Sequence, residues 1–249
     1  MASARKPAAA PLHSAAAGAG NLFLNLAEQV KMPFVQIAYA AERMAQANDP
    51  ADAEDLRRTI ALSSQSALSL IDGYLLGAAL QRQGRLQLEP VSVSSVLHDS
   101  MQALTPYAKA MGCELRLQLD GKYEPVMAHR SALQSALTSL GYTFIEAASS
   151  HEAGDPPVVN LVVRRRQGGI STGVFSNNSS LSPVLLHKAR EMHGLIHQPI
   201  PGFDSGNASG VFVADVLFNT IETTMKVAQD RGLKGLAATL VPSRQLQLV

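Results

Sequence analysis

The sequence predicts an α+β chain in two parts: an antiparallel two-helix hairpin over residues 21–84, then an α/β sandwich over residues 85–249. Three observations carry this expectation. From Phe23 to Tyr74 apolar residues recur at steps of three and four, which places them on one face of each of two helices. After Gly84 several segments alternate instead, as in Cys113–Leu119 and Val158–Val163, the period of half-buried strands. Helical segments are interleaved with these strands, the order of a mixed sheet carrying helices on one face.

The elements follow in turn. Residues 1–20 are Ala, Gly, Pro and Ser with two basic residues and no acid, so a disordered tail is expected, although an organelle transit peptide can share this composition. Phe23, Leu26, Val30, Phe34, Ile37, Ala41 and Met44 mark the first helix, which ends near Ala47-Asn48. Asp49 then supplies an N-cap and Pro50 a first helical residue whose missing N–H is no loss. Leu56, Ile60, Ser63, Ala67, Leu70 and Tyr74 mark the second helix, to about Gln83. A lone hairpin leaves much of this stripe wet. Pairing with a second copy into a four-helix bundle would cover it.

Beyond Gly84, Leu86–Val93 reads as an extended connector, with Ser94 and Ser95 capping a helix to about Ala110. Cys113–Leu119 and Pro125–Ala128 are strands, and Ala132 to about Ala148 is a helix. Val158–Val163 and Gly169–Phe175 form a hairpin turning at Gln167-Gly168-Gly169. Ser182-Pro183 opens a helix to about His193, and Gly210–Ile221 is apolar enough for a buried helix. Met225–Ala228 and Leu236–Val241 make a last hairpin about Asp230-Arg231-Gly232.

Composition narrows the function classes. The net charge of +1 argues against nucleic-acid or membrane binding through bulk electrostatics, and no apolar run reaches the length of a membrane span. Arg164-Arg165-Arg166 is the only tight basic cluster and reads as a strand end or solvated edge. The single cysteine, Cys113, excludes an internal disulfide and fits a reducing, cytoplasmic setting; it reads as a core residue, not a nucleophile. His187, His193 and His197 lack a nearby carboxylate or cysteine cluster, so no metal site is expected. No nucleophile elbow, phosphate loop or paired glycosidase carboxylates can be picked out.

The order of a two-helix hairpin, a Glu-Pro connector and helix–strand–strand–helix–hairpin–helix–helix–hairpin resembles the catalytic core of sensor histidine kinases over about residues 21–245. That core joins a dimerisation and phosphotransfer hairpin to a Bergerat-type ATP-binding domain. In the family the first helix carries His-Glu, three residues, then Pro-Leu. The same frame here reads Glu28-Gln29-Val30-Lys31-Met32-Pro33-Phe34, with Glu28 at the phospho-acceptor position and Pro33 kept. A carboxylate cannot replace imidazole as the stable phosphoryl carrier of such a relay. An interior proline costs a helix roughly 3 kcal/mol, which reads as an inherited kink.

The resemblance implies further positions. The asparagine that serves magnesium in the family falls on or near Tyr142, a poor ligand for a hard cation. The Asp-x-Gly-x-Gly segment that reads adenine is replaced by Ser176-Asn177-Asn178-Ser179-Ser180, with Ser176 for the aspartate and Asn178 and Ser180 for the glycines. The last glycine motif keeps two of three glycines in Gly206-Asn207-Ala208-Ser209-Gly210. Backbone there could still meet an anion, or could be a flexible loop and helix start.

The expectation is therefore a degenerate, kinase-like protein without kinase activity or an ATP–magnesium cofactor. It would dimerise through residues 21–83 and bind a response-regulator receiver domain or a histidine kinase. The contact face would include Glu28, Lys31, Gln36 and Arg43. Glu28 is either a fixed negative charge shown to that partner or an ordinary solvent-facing helix former. The alternative is a divergent active kinase or phosphotransferase that uses another histidine such as His98.

Overall fold

A computed structural model describes residues 30–31, 33–82, 87–149, 156–177 and 209–243. Helix α1 covers residues 33–46, with 30 and 31 also helical, and α2 runs over Pro50–Arg82. Asp49 begins α2 as the sequence predicts, its Oδ1 accepting the amide of Ala51 at 2.9 Å. The expected first-helix face is only partly correct. Val30, Pro33 and Ala40 are buried, whereas Phe34 is 55% exposed and Ala41 is also exposed. Ser63 Oγ donates to Gln36 Oε1 at 3.0 Å, joining α2 to α1.

Strand β1 (Glu89–Val91) follows where an extended connector was expected. It pairs antiparallel with β3 (Val126–Ala128), since an extended connector and a short strand share one backbone conformation and differ only in having a partner. Helix α3 is Val93–Ala110. Its cap is Ser92, whose Oγ accepts the amide of Ser95, so the expected cap at Ser94 and Ser95 lies inside the helix. Three neighbouring serines look alike in sequence, and only the extended backbone of Ser92 decides between them.

Strand β2 (Glu114–Leu119), helix α4 (Arg130–Ser149), and strands β4 (Val158–Arg166) and β5 (Gly169–Ser176) come next. Helix α5 (Ser209–Thr220) and strands β6 (Met225–Asp230) and β7 (Leu233–Leu240) complete the described chain. The helix expected from Ser182 lies outside the described residues. The main sheet has five strands in the order β2-β4-β5-β7-β6, with β2 parallel to β4 and every other pair antiparallel.

One side of this sheet meets the helices. Val159, Leu161 and Val163 of β4, Val174 of β5, and Leu236, Ala238 and Leu240 of β7 pack against Leu97, Leu104, Leu133, Leu137, Leu140 and Phe144 in a single core. The other side is closed by the β6–β7 tip. Strand register sets Arg164 beside Ser171, and Ser171 beside Thr239, at the opposite end of the ladder from Asp230. Arg164 nonetheless donates to both carboxylate oxygens of Asp230 at 2.9 Å, and Arg231 pairs with Asp120. The tip therefore coils across the sheet over Val162, Phe175 and Ala237, with Leu233 packed on them. Arg231 at φ 48° and Gly232 at φ 85° make the two-residue turn this requires. The arginine triplet ends β4 as expected, and Arg165 and Arg166 are exposed, but Arg164 is not solvated: its side chain is 14% exposed and lodged between Asp120 and Asp230.

Candidate functional site

The site that the family resemblance points to is the helical layer. Helix α4 presents the stripe Ser135, Ser139, Tyr142 and Glu146, residues three or four apart and hence on one side. Tyr142 is 5% exposed, and its ring stands edge-on to Tyr107 of α3, centroids 4.9 Å apart at 81°. Tyr107 donates its hydroxyl to Glu146 Oε1 at 2.6 Å, and Ser66 of α2 reaches the same oxygen at 3.4 Å. Burial, then the Glu146 carboxylate, pushes the Tyr107 hydroxyl far above the usual phenol range. The same two causes in the same order raise Tyr142. Both phenols are therefore neutral, and a buried neutral phenol is no ligand for a hard divalent cation.

Gly210 lies inside α5, buried, where a Cβ would come 2.1 Å from the backbone oxygen of Ser139 and 2.4 Å from Thr143 Oγ1. This retained glycine stands in the first turn of the buried helix expected from Gly210 and serves a close helix crossing, while the loop expected before it lies outside the described residues. Ser176 ends β5 and is buried. Asn178, Ser180 and Gly206 lie outside the described residues, as do Glu28 and the histidines at 187, 193 and 197. Among the described residues no group of three His, Cys, Asp or Glu could hold a metal ion. No helix among them is long and apolar enough to cross a membrane.

Sequence reasoning missed the second helix as part of this site. That helix packs on α4 and α5: Ser66, Gly73 and Gly77 meet those helices, and Ala67, Leu70, Tyr74 and Leu80 join the main core. A Cβ on Gly73 would fall 2.5 Å from Val213 Cγ1, and one on Gly77 would fall 3.1 Å from Val216 Cγ1. The spacing Gly73-x-x-x-Gly77 was the available signal, since small residues four apart let helix backbones approach closely.

The hairpin's outer surface holds the other expected residues. Lys31, Gln36 and Arg43 are exposed, with Arg43 lying 6.0 Å from the centroid of the Tyr39 ring. Around them Phe34, Val35 and Tyr39 on α1 and Leu68 and Leu75 on α2 are at least half exposed. Pro33 is buried. Apart from these, His98 lies exposed on α3 with Nδ1 2.9 Å from the Ser94 carbonyl, and His129 Nδ1 accepts the Ala132 amide at the start of α4.

Comparison with solved structures defines the class of fold. The histidine kinase ThkA, solved in complex with the response regulator TrrA, is similar with a TM-score of 0.53 at 12% identity, covering 90% of this chain and 62% of that one. The Acinetobacter baumannii histidine kinase AdeS is similar with a TM-score of 0.51 at 13% identity, covering 86% of this chain and 97% of that one. Full-length ShkA, solved with AMPPNP, gives 0.50 at 16% identity over 89% of this chain and 46% of its own. No protein-family model matches the chain, and no curated protein matches its sequence. The chain thus has the α+β fold of the histidine-kinase catalytic core, a hairpin followed by an ATPase-type sandwich.

Proposed function

We propose that this protein is a catalytically inactive, histidine-kinase-like signalling protein. It dimerises through its hairpin and binds a response-regulator receiver domain or a kinase in the cytoplasm. The observation that carries this reading is Tyr142: the position that would serve magnesium is a buried neutral phenol packed on Tyr107. The residues do not fit a magnesium nucleotide in other respects either. Gly210 is engaged by Ser139 and Thr143, and a serine stands where the adenine-reading aspartate would be.

The exposed Phe34, Val35, Tyr39, Leu68 and Leu75 support association through the hairpin, since a row of half-exposed large apolar residues on two packed helices marks an interaction surface. The ThkA–TrrA complex supports a receiver domain as one partner. Purified protein incubated with labelled Mg-ATP is expected to incorporate no phosphate and to give no calorimetric binding signal. Autophosphorylation would overturn the proposal.

A second reading, a phosphotransferase using another histidine, is favoured by His98. A carbonyl can only accept, so Nδ1 donates to Ser94 and the lone pair of Nε2 is left on an exposed ring. Phosphate taken from a phosphorylated receiver domain and lost in His98→Ala would establish it. Equal labelling of that variant would exclude it.

A further inference from the structure

Three residues on two helices converge on one stripe of α4. Gly73 of α2 sits against Ser135 and Ser139 of α4 and Val213 of α5, while Gly210 of α5 meets Ser139 from its own side. About two turns of α2 further back, Ser66 reaches Glu146. Residue numbers on α2 thus fall as those on α4 rise, so the two helices run antiparallel and α2 passes over residue 142, between the two contacts. Both positions that the resemblance assigns to a nucleotide, 142 and 210, lie under or beside this helix.

We propose that α2 is a built-in cover that closes the nucleotide face of the sandwich against a nucleoside triphosphate, an autoinhibitory contact within one chain. This rests on the reading of Tyr142 and Gly210 as the former nucleotide positions. The contact is held by shape: the α2 backbone at Gly73 and Gly77 lies against the side chains of Val213 and Val216, and Leu70, Tyr74 and Leu80 join the core of the sandwich. The buried Tyr74 hydroxyl and Ser139 Oγ have no hydrogen-bond partner among the described residues, so few directional bonds reinforce it beyond the Ser66–Glu146 contact. A wedge at Gly73 should therefore lift the helix, whereas a wedge on the outer face should not.

Tyrosine nitration by tetranitromethane, mapped by mass spectrometry on the full chain, reads the cover directly. In the wild type the exposed Tyr39 should react and Tyr142 should be protected. Gly73→Ala sets a methyl 2.5 Å from Val213 Cγ1 and should speed nitration of Tyr142 roughly tenfold, with Tyr39 unchanged. Adding Val213→Ala should restore protection. Should Gly73→Ala lose its far-UV dichroism, Gly77→Ala gives the same readout through a milder clash at Val216.

Wild-type Tyr142 as reactive as Tyr39, or a folded wedge variant with Tyr142 still fully protected, overturns the cover. Calorimetric binding of Mg-ATP by a wild type whose Tyr142 stays protected would overturn both readings, whereas Mg-ATP binding gained only in Gly73→Ala would sink the scaffold reading alone and keep the cover. A reactive Tyr142 without Mg-ATP binding would sink the cover alone.

Discussion

Helices α1 and α2 carry similar apolar patterns and meet opposite fates. On α2 the stripe from Ser66 to Leu80 is buried in the same chain, with α4 and α5 packed on it. On α1 Val30 reaches the main core, but Phe34, Val35 and Tyr39 stand in solvent. The difference lies in the small residues. Ser66, Ala67, Gly73 and Gly77 bring the α2 backbone close enough for Leu70 and Tyr74 to reach the core. Helix α1 has no such glycine between residues 33 and 46, and it keeps its bulk at the surface. An apolar period says that a face will be covered; the size of the residues within it says how closely a neighbour can come.

The largest expected effect would break this contrast if it failed. Leu70→Ala should destabilise the chain by about 2–5 kcal/mol, as for a buried leucine in a close-packed site. Leu68→Ala, two residues away at 60% exposure, should stay within about 0.5 kcal/mol. Urea denaturation at high dilution separates them, and equal losses would mean that α2 does not dock as described. Next in size is the polar contact at the same joint. Tyr107→Phe removes the 2.6 Å donor to Glu146 and should cost about 1.5–3 kcal/mol, the range for hydrogen bonds to charged groups. Glu146→Gln keeps an acceptor and should lose less. Thermal melts of the two variants give the order.

Cys113 supplies a reference outside both helices. It is buried and free between α3 and β2, and burial pushes its thiol up to about 11 from 9.0. Between these values the unfolded chain gives up this proton while the folded chain keeps it. Stability is thus fully present below pH 9 and falls as pH rises toward 11, at up to about 1.4 kcal/mol per pH unit. The buried Tyr74 and Tyr107 join the loss only above the ordinary phenol value of 10, so the interval from pH 9 to 10 isolates the cysteine. Denaturation midpoints there should flatten in Cys113→Ala and fall equally in wild type and in Gly73→Ala. A different slope in the wedge variant would show that α2 docking reaches the far side of the sandwich.

Much of this contrast was legible in the sequence, and the remainder was not for physical reasons. Element order followed from the change of apolar period at Gly84 and from turn glycines such as Gly168 and Gly232, because these are local properties of the chain. Gly210 was also legible as the start of a buried helix. What the glycine does there was not, since its close approach depends on Ser139 and Thr143 of another helix. Arg164 read as solvated because its two carboxylates, Asp120 and Asp230, are 44 and 66 residues away in the chain. Their meeting depends on how far the β6–β7 tip coils over the sheet. The docking of α2 failed to register for a related reason: Gly73 and Gly77 look like weak helix formers until a partner helix is brought against them.

The smallest expected effect on stability is the one that tests α1. Phe34→Ser and Tyr39→Ser replace exposed side chains, so each should leave the stability of the isolated chain within about 0.5 kcal/mol. If these side chains are covered only by a second copy, the same changes should weaken self-association. Sedimentation velocity over a concentration series should then show the variants dissociating at concentrations where the wild type remains paired, with unchanged circular dichroism. The magnitude expected for removing one aromatic anchor from an interface centre is on the order of 2 kcal/mol, about thirtyfold in the dissociation constant. Equal association of wild type and variants would leave α1 without a dimer role and turn its exposed face toward a different partner. A loss of stability in dilute solution would place Phe34 in the chain's own core, and the contrast with α2 would then disappear.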